Sequence, residues 1–311
     1  MNTAAEKADL SGTFVPTRMV KRVFQLLDFA LDGWSVDNTQ VALVLGEPGC
    51  GKTRIVKQWA ASRLGLPDYP EYFPSIPTIA YTEVTVGATP KSLTADFLYT
   101  LRDPAPEKGT LPQRIRRIGD CIRPDKKNPN PQIVHAAILD EFHCVIDSNT
   151  DKVNLDTARW VTNVLNQRAC PLIIVGEPSI ARIFARRGTN SQTRKRMIGV
   201  EYLGPYRWGN KDEREEYRVI LYHLSREIAL PEFVNLGATE FALPIHSFSG
   251  GYPGQTVQLI KKAVMFAQAA KRPMLTKKLF EEAVDSLLLE SERGSLNPFR
   301  ISNPTSGDAE E

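Results

Sequence analysis

Residues 41–53 read VALVLGEPGCGKT. The apolar run 41–45 is cut off by a glycine-rich loop, and helix-forming residues follow from Lys52 to about Arg63. The pattern predicts a strand, a loop and a helix in direct succession. The loop, residues 46–53, fits GxxxxGKT, and each part of that pattern has a physical use. Gly46, Gly49 and Gly51 let backbone N–H groups turn inward around phosphate oxygens at a helix N-terminus, where the helix dipole favours negative charge. Lys52 is then in reach of the outer phosphates of ATP, and the Thr53 hydroxyl is a ligand for Mg²⁺. Glu47, Pro48, Cys50 and Arg54 complete the expected nucleotide-contact segment.

Outward from this loop, a second apolar run ends in Ile138, Leu139, Asp140 and Glu141. An acidic pair at a strand end can divide two tasks: Asp140 suits the Mg²⁺ shell, and Glu141 suits orienting or deprotonating an attacking water. His143 extends the string to DEFH, which also fits a DExH helicase box. That class needs a second nucleotide-binding domain, for which 311 residues leave no room. A third run, residues 172–177, reads LIIVGE and offers Glu177 as the polar side chain beside the acidic strand. A basic stretch follows, with Arg182, Arg186, Arg187, Arg194, Lys195 and Arg196. A planar, permanently charged guanidinium suits a finger placed in a neighbouring subunit's nucleotide site; Arg196 is the first choice for it and Arg194 the second.

Apolar segments near 79–86, 133–139, 172–175 and 198–203 alternate with helical patterns at 52–63, 90–101, 155–168 and 179–186, and an amphipathic helix is expected over 17–31. This alternation predicts a parallel sheet covered by helices on both faces. Beyond Trp208 only helical patterns remain, near 212–228, 240–247, 255–270 and 277–289. The expected organisation is an N-terminal extension and helix over 1–36, a nucleotide-binding core over 37–208, a small helical lid over 209–290 and a polar tail over 291–311. Hydrophobic residues make up 42% and charged residues 24% of the chain, and no apolar run reaches the roughly 20 residues a membrane helix needs. Four cysteines without a CxxC pair fit reduced thiols, and the start carries no export pattern, so a cytoplasmic protein without a membrane partner is expected. A net charge of +3 does not by itself indicate nucleic-acid binding.

From Phe14 to Leu289 the sequence resembles AAA+ ATPases, and within them the transposition regulators of the TniB, TnsC and MuB type. The residues that carry the resemblance are FVPT before the first helix, GEPGCGKT, LDEFH, VGEPSIARIF, SQTRKR before a final strand, and the segment SGGYPG that introduces a helix. It implies an AAA+ P-loop NTPase fold, α/β in class, with a parallel RecA-like sheet sandwiched by helices and followed by a small helical lid. It also implies an ATP-dependent homo-oligomer or filament on duplex DNA that recruits or activates a transposase of the TniA or TnsB kind, with a TniQ-like target selector as a further partner. The residues available for phosphate contact are Lys91, Arg102, Arg114, Arg116, Arg117, Lys126 and Lys127. Where many AAA+ proteins carry a lid arginine, this sequence has Gln255, Thr256 and Gln258. An initiator-like or loader-like ATP switch outside transposition is the alternative, and a signalling NTPase of the STAND type would need a sensor or effector domain.

Overall fold

The computed structural model describes residues 10, 14–35, 37–73, 77–122, 134–145, 151–185, 194–288 and 297–300. They group into two compact units, one spanning Arg18–Leu203 and the other comprising Met1–Thr17 with Gly204–Glu311.

The first unit opens with α1 (Arg18–Asp32), whose Val20, Val23, Leu27 and Ala30 form one buried face. Then follow β1 (Val41–Gly46), α2 (Lys52–Leu64), β2 (Ile79–Glu83), α3 (Pro90–Thr100) and α4 (Leu111–Ile122). The remainder is β3 (Ala136–Asp140), α5 (Asp151–Leu165), β4 (Leu172–Gly176), α6 (Ala181–Ala185) and β5 (Met197–Leu203). The five strands form one parallel sheet in the order β2-β3-β4-β1-β5. Strands β1, β3 and β4 are buried at every position, as expected of central strands covered on both faces, whereas the edge strands β2 and β5 are only partly buried.

This order positions the site. Strand β4 lies between β1 and β3, so the loops leaving the C-terminal ends of these three strands are neighbours. In open α/β sheets ligands bind in the crevice outside those ends, where the strand order reverses. Two details fix α1 against this layer. A Cβ on Gly199 would come within 2.7 Å of Leu26 Cδ1, so glycine gives the helix its close seat on β5. Asp28 accepts from Trp59 Nε1 at 2.7 Å and pairs with Arg63, which ties α1 to α2.

Several boundaries differ from the sequence expectation. The strand expected over 79–86 stops at Glu83 and the one expected over 133–139 runs through Asp140, with residue 133 outside the described set. The helix expected over 179–186 is a 3₁₀ turn, Pro178–Ile180, followed by the short α6.

The second unit is built from α7 (Lys211–Arg226), α8 (Thr239–Ser249), α9 (Pro253–Ala269) and α10 (Lys277–Leu287). Its core contains Leu221, Ile245, Leu259, Val264, Phe280 and Val284, joined by Leu10 from the start of the chain. Buried Tyr217 shares its hydroxyl with Ser249 Oγ at 3.1 Å and Thr256 Oγ1 at 2.7 Å. Thr256 is therefore a core residue, while Gln255 and Gln258 are exposed. Among the described residues no helix is long and apolar enough to cross a membrane.

Candidate nucleotide-binding site

Strand β1 ends at Gly46, where any side chain would collide with the neighbouring strand: a Cβ there would lie 2.5 Å from Leu203 O and 3.0 Å from Leu203 Cβ. The loop then turns through Gly49 (φ 83°) and Gly51 (φ 84°), left-handed conformations that glycine adopts without steric cost. Gly51 is the N-cap of α2, and no side chain caps that helix. The first-turn N–H groups of a helix have no carbonyl partner within it, so this end presents donors and the positive end of the helix dipole to the loop.

Lys52, only 6% exposed, folds back over the loop and donates from Nζ to Gly46 O at 2.9 Å and Glu47 O at 3.0 Å. Cys50 is buried beside it. Burial pushes the Cys50 thiol up, against the opposing pull of Lys52.

At the end of β3, Asp140 is fully buried. Its Oδ2 accepts from Tyr81 Oη at 2.8 Å and its Oδ1 from the Glu141 N–H at 2.8 Å. Burial, then the Asp140 charge, pushes the Tyr81 hydroxyl far up, so it remains a donor. Tyr81 reaches Asp140 because β2 pairs with β3 in parallel, Tyr81 opposite Ile138 and Glu83 opposite Asp140. Glu141 follows with φ 55°, a left-handed conformation uncommon for a side chain of this size. Glu177, at the end of β4, begins the 3₁₀ turn 178–180. His143 stands between the two glutamates, 3.5 Å from Glu141 and 3.4 Å from Glu177.

These groups fit ATP with Mg²⁺. The loop offers glycine backbone around a buried ammonium, and a Cβ on Gly51 would meet nothing within 4 Å, so the cradle is open at the helix end. Thr53 and Asp140 supply hard oxygen donors of the kind Mg²⁺ takes.

The other residues singled out from sequence are not part of this cluster. Arg196 precedes β5 at the opposite edge of the sheet: β1 and β5 start side by side, Val41 opposite Met197. By strand length it is roughly 20 Å from its own phosphate loop. Its Nη1 donates to Asn166 Oδ1 at 2.8 Å. Arg182, Arg194 and Lys195 are exposed, and Arg186 and Arg187 lie outside the described residues.

Of the cations considered for phosphate contact, Lys91 and Arg116 are exposed, and Lys126 and Lys127 lie outside the described residues. Arg114 departs from the expectation of a residue available for phosphate contact. It is 6% exposed and donates from Nε to Gly109 O and from Nη1 to Lys91 O, each at 3.2 Å, bracing the ends of α3 and α4. Arg117 is held by Asp103 at 3.1 Å and by Ala105 O at 2.8 Å. Exposed Arg102 donates to Phe73 O and lies over the Tyr72 ring at 4.8 Å. Sequence reasoning missed Tyr81, whose part in the site depends on a strand pairing that no local signal announces.

Residues 36–184 match the model of the AAA domain family. Among solved structures, the chain is similar to the Aeropyrum pernix ORC2 protein in its ADPNP–ADP complexes and in its ADP form. Each has a TM-score of 0.58 at 16% identity, covering 88% of this chain and 68% of that one. It is also similar to Drosophila ORC bound to DNA, with a TM-score of 0.54 at 14% identity over 94% of this chain and 68% of that one. No curated protein matches it in sequence. With its parallel five-stranded sheet, the chain has the AAA+ P-loop NTPase fold.

Proposed function

We propose that this chain binds ATP with Mg²⁺ at residues 46–53, hydrolyses it, and uses the nucleotide cycle to control an oligomer on duplex DNA in the service of transposition. The observation that carries the ATPase reading is the sheet order, which brings Lys52, Asp140, Glu141 and Glu177 to one edge from the ends of three adjacent strands. Lys52 and the glycine backbone bind the phosphates, and Thr53 and Asp140 hold the metal, which would neutralise charge developing on the transferred phosphoryl group. Glu141, half-exposed where Asp140 is sealed, orients the attacking water. Glu177 is the polar group beside it.

Support for DNA as a partner comes from the fold, shared with an origin-recognition complex solved on DNA, and from the exposed cations Lys91 and Arg116. The transposition reading rests on the motifs GEPGCGKT, LDEFH, VGEPSIARIF and SGGYPG, which resemble the TniB, TnsC and MuB type. The same fold neighbours favour a second reading, an initiator-like switch acting on DNA outside transposition.

The test has two stages. Lys52→Ala is expected to abolish ATP binding, and Glu141→Gln to keep binding while reducing turnover by about a hundredfold or more, read by nucleotide titration and phosphate release. Wild-type ATP affinity in Lys52→Ala overturns the assignment. With ATP present, binding to duplex DNA is expected to be largely sequence-tolerant and to weaken steeply with salt. On DNA loaded with the wild-type chain, retention and stimulation of a DDE-type transposase supports the first reading. DNA loading without either effect favours the switch.

A further inference from the structure

His143 occupies a 3₁₀ turn, Phe142–Val145, directly after β3 and is 23% exposed. Its ring spans two carboxylates on the ends of adjacent parallel strands: Nδ1 is 3.5 Å from Glu141 Oε2, and Nε2 is 3.4 Å from Glu177 Oε1. Nδ1 is sealed from solvent and, among the described residues, makes no hydrogen bond of ordinary geometry; the Glu141 carboxylate faces it at ion-pair distance. Two further features are built around the ring. A Cβ on Gly176 would stand 2.6 Å from Ile180 Cδ1 and 3.2 Å from both His143 N and His143 Nδ1, so glycine at the end of β4 makes room for Ile180 and for the imidazole. Glu141 holds its left-handed conformation between two backbone hydrogen bonds, its N–H donating to Asp140 Oδ1 at 2.8 Å and its carbonyl accepting from Cys144 N at 2.9 Å. Such a conformation persists only where the surroundings over-determine it.

We propose that His143 is a positioning residue that ties the Glu141 carboxylate to Glu177, so that the water-orienting group at the end of β3 is set from the end of the neighbouring strand β4. The inference rests on the role given to Glu141 above. Carboxylates only accept hydrogen bonds; a neutral imidazole donates to one of them, and a protonated one to both. Side-chain rotations that shorten either separation by about half an ångström turn ion-pair contact into a hydrogen bond. A glutamate without this partner samples several rotamers. Misplacing a catalytic group by about 1 Å can cost on the order of a hundredfold in rate.

A metal site is the competing use of the same atoms, because ligand atoms of Glu141, His143 and Cys144 lie within 4.8 Å of one another. Burial, reinforced by Glu141, Glu177 and Glu83, pushes the Cys144 thiol up, which disfavours the thiolate a metal needs.

The experiment reads the ring directly and then the rate. In the full chain with ¹⁵N-labelled histidine, Glu141→Gln is expected to shift the His143 Nδ1 resonance and Glu177→Gln the Nε2 resonance. This arm stands whether or not the chain hydrolyses ATP. In turnover, His143→Ala is expected to lower kcat at least about tenfold with nucleotide affinity nearly unchanged, and His143→Gln, which keeps a donor, to recover part of the loss. Glu177→Gln combined with His143→Ala is expected to be no slower than the slower single variant, as for two members of one chain of contacts. Ring resonances that ignore both glutamate changes, fully multiplicative losses in the double variant, or a thiolate absorption band on adding Co²⁺ would each overturn the proposal. A wild-type chain that fails to hydrolyse ATP while the ring responds as expected removes the ATPase reading and leaves the contact standing.

Discussion

Asp140 and Arg114 show what a single buried charge requires. Asp140 is fully buried and is stabilised by two donors, one from the next residue's backbone and one from Tyr81 across the strand pair. Removing a donor leaves a buried carboxylate oxygen short of a partner, which costs roughly 1–3 kcal/mol. Tyr81→Phe, which keeps the ring's packing, is accordingly expected to lower stability in urea by about that amount at neutral pH. A loss below about 0.3 kcal/mol would mean that solvent replaces the hydroxyl. Nothing in the sequence near LDEF points to Tyr81, because the contact exists only through parallel pairing of β2 with β3. Arg114 was more legible than its basic neighbours imply. It lies four residues before Ile118 and eight before Ile122 on the buried face of α4, so helical periodicity alone assigns it to the interior side, where its guanidinium finds carbonyls. Charge draws attention to such a residue, and spacing decides its place.

At the scale of elements, the segment SGGYPG between α8 and α9 separates two glycines that look alike in sequence. Gly250 and Gly251 both adopt positive φ, 58° and 77°. A Cβ on Gly250 would meet only the Tyr252 ring at 3.4 Å, whereas one on Gly251 would lie 2.1 Å from Tyr206 O and 2.8 Å from His246 Nε2. Gly250→Ala is therefore expected to cost about 1 kcal/mol, the left-handed penalty alone, and Gly251→Ala several-fold more, both read from thermal unfolding. Equal losses would show that conformation and not close approach sets the cost. The same junction carries a pH response. His246 donates from Nε2 to Tyr206 O at 2.6 Å, and burial, opposed by that bond, lowers its pKa below the ordinary 6.5. Over the window below 6.5 the unfolded chain binds more protons than the folded one, so stability is full above that value and falls as pH drops through it, until the folded ring itself titrates. The wild-type Tm is expected to fall between about pH 7.5 and about pH 5.5 by more than that of His246→Gln, with parallel curves as the contrary result. The existence of these helices was legible from periodicity. The His246–Tyr206 contact was not, since it joins residues 40 positions apart.

For the whole molecule, the alternation of apolar runs and helices was enough to expect a parallel sheet, but the insertion of β4 between β1 and β3 is a non-local pairing that no window of sequence contains. That insertion gathers the acidic residues beside the phosphate loop, and the same topology separates Arg196 from it. With Val41 opposite Met197, Arg196 stands at the N-terminal edge of the strands and the phosphate loop at the C-terminal edge. If this arginine serves a nucleotide, it serves one bound by another subunit, because the sheet lies between it and its own site. A finger supplied in this way makes a heterologous contact, and such contacts generate rings or filaments. An isolated subunit then has an incomplete site, so turnover per subunit is expected to rise with protein concentration. Arg196→Ala is expected to lower turnover and ATP-dependent assembly on the order of a hundredfold or more while leaving monomer nucleotide binding nearly intact. The local bond to Asn166 supplies the necessary control. Asn166→Ala removes that bond and keeps the guanidinium, so it is expected to retain most activity if Arg196 acts between subunits, and to match Arg196→Ala if the arginine only braces α5. Mixing gives the sharper measurement. An Arg196→Ala subunit keeps a sound phosphate loop, and a Lys52→Ala subunit keeps a sound finger. Mixed oligomers are therefore expected to regain activity at every interface where an intact finger meets an intact loop, with a maximum near equal proportions. Mixtures that co-assemble yet never exceed the two variants alone would exclude Arg196 as the finger, and complementation by Arg194→Ala in its place would move the role two residues upstream.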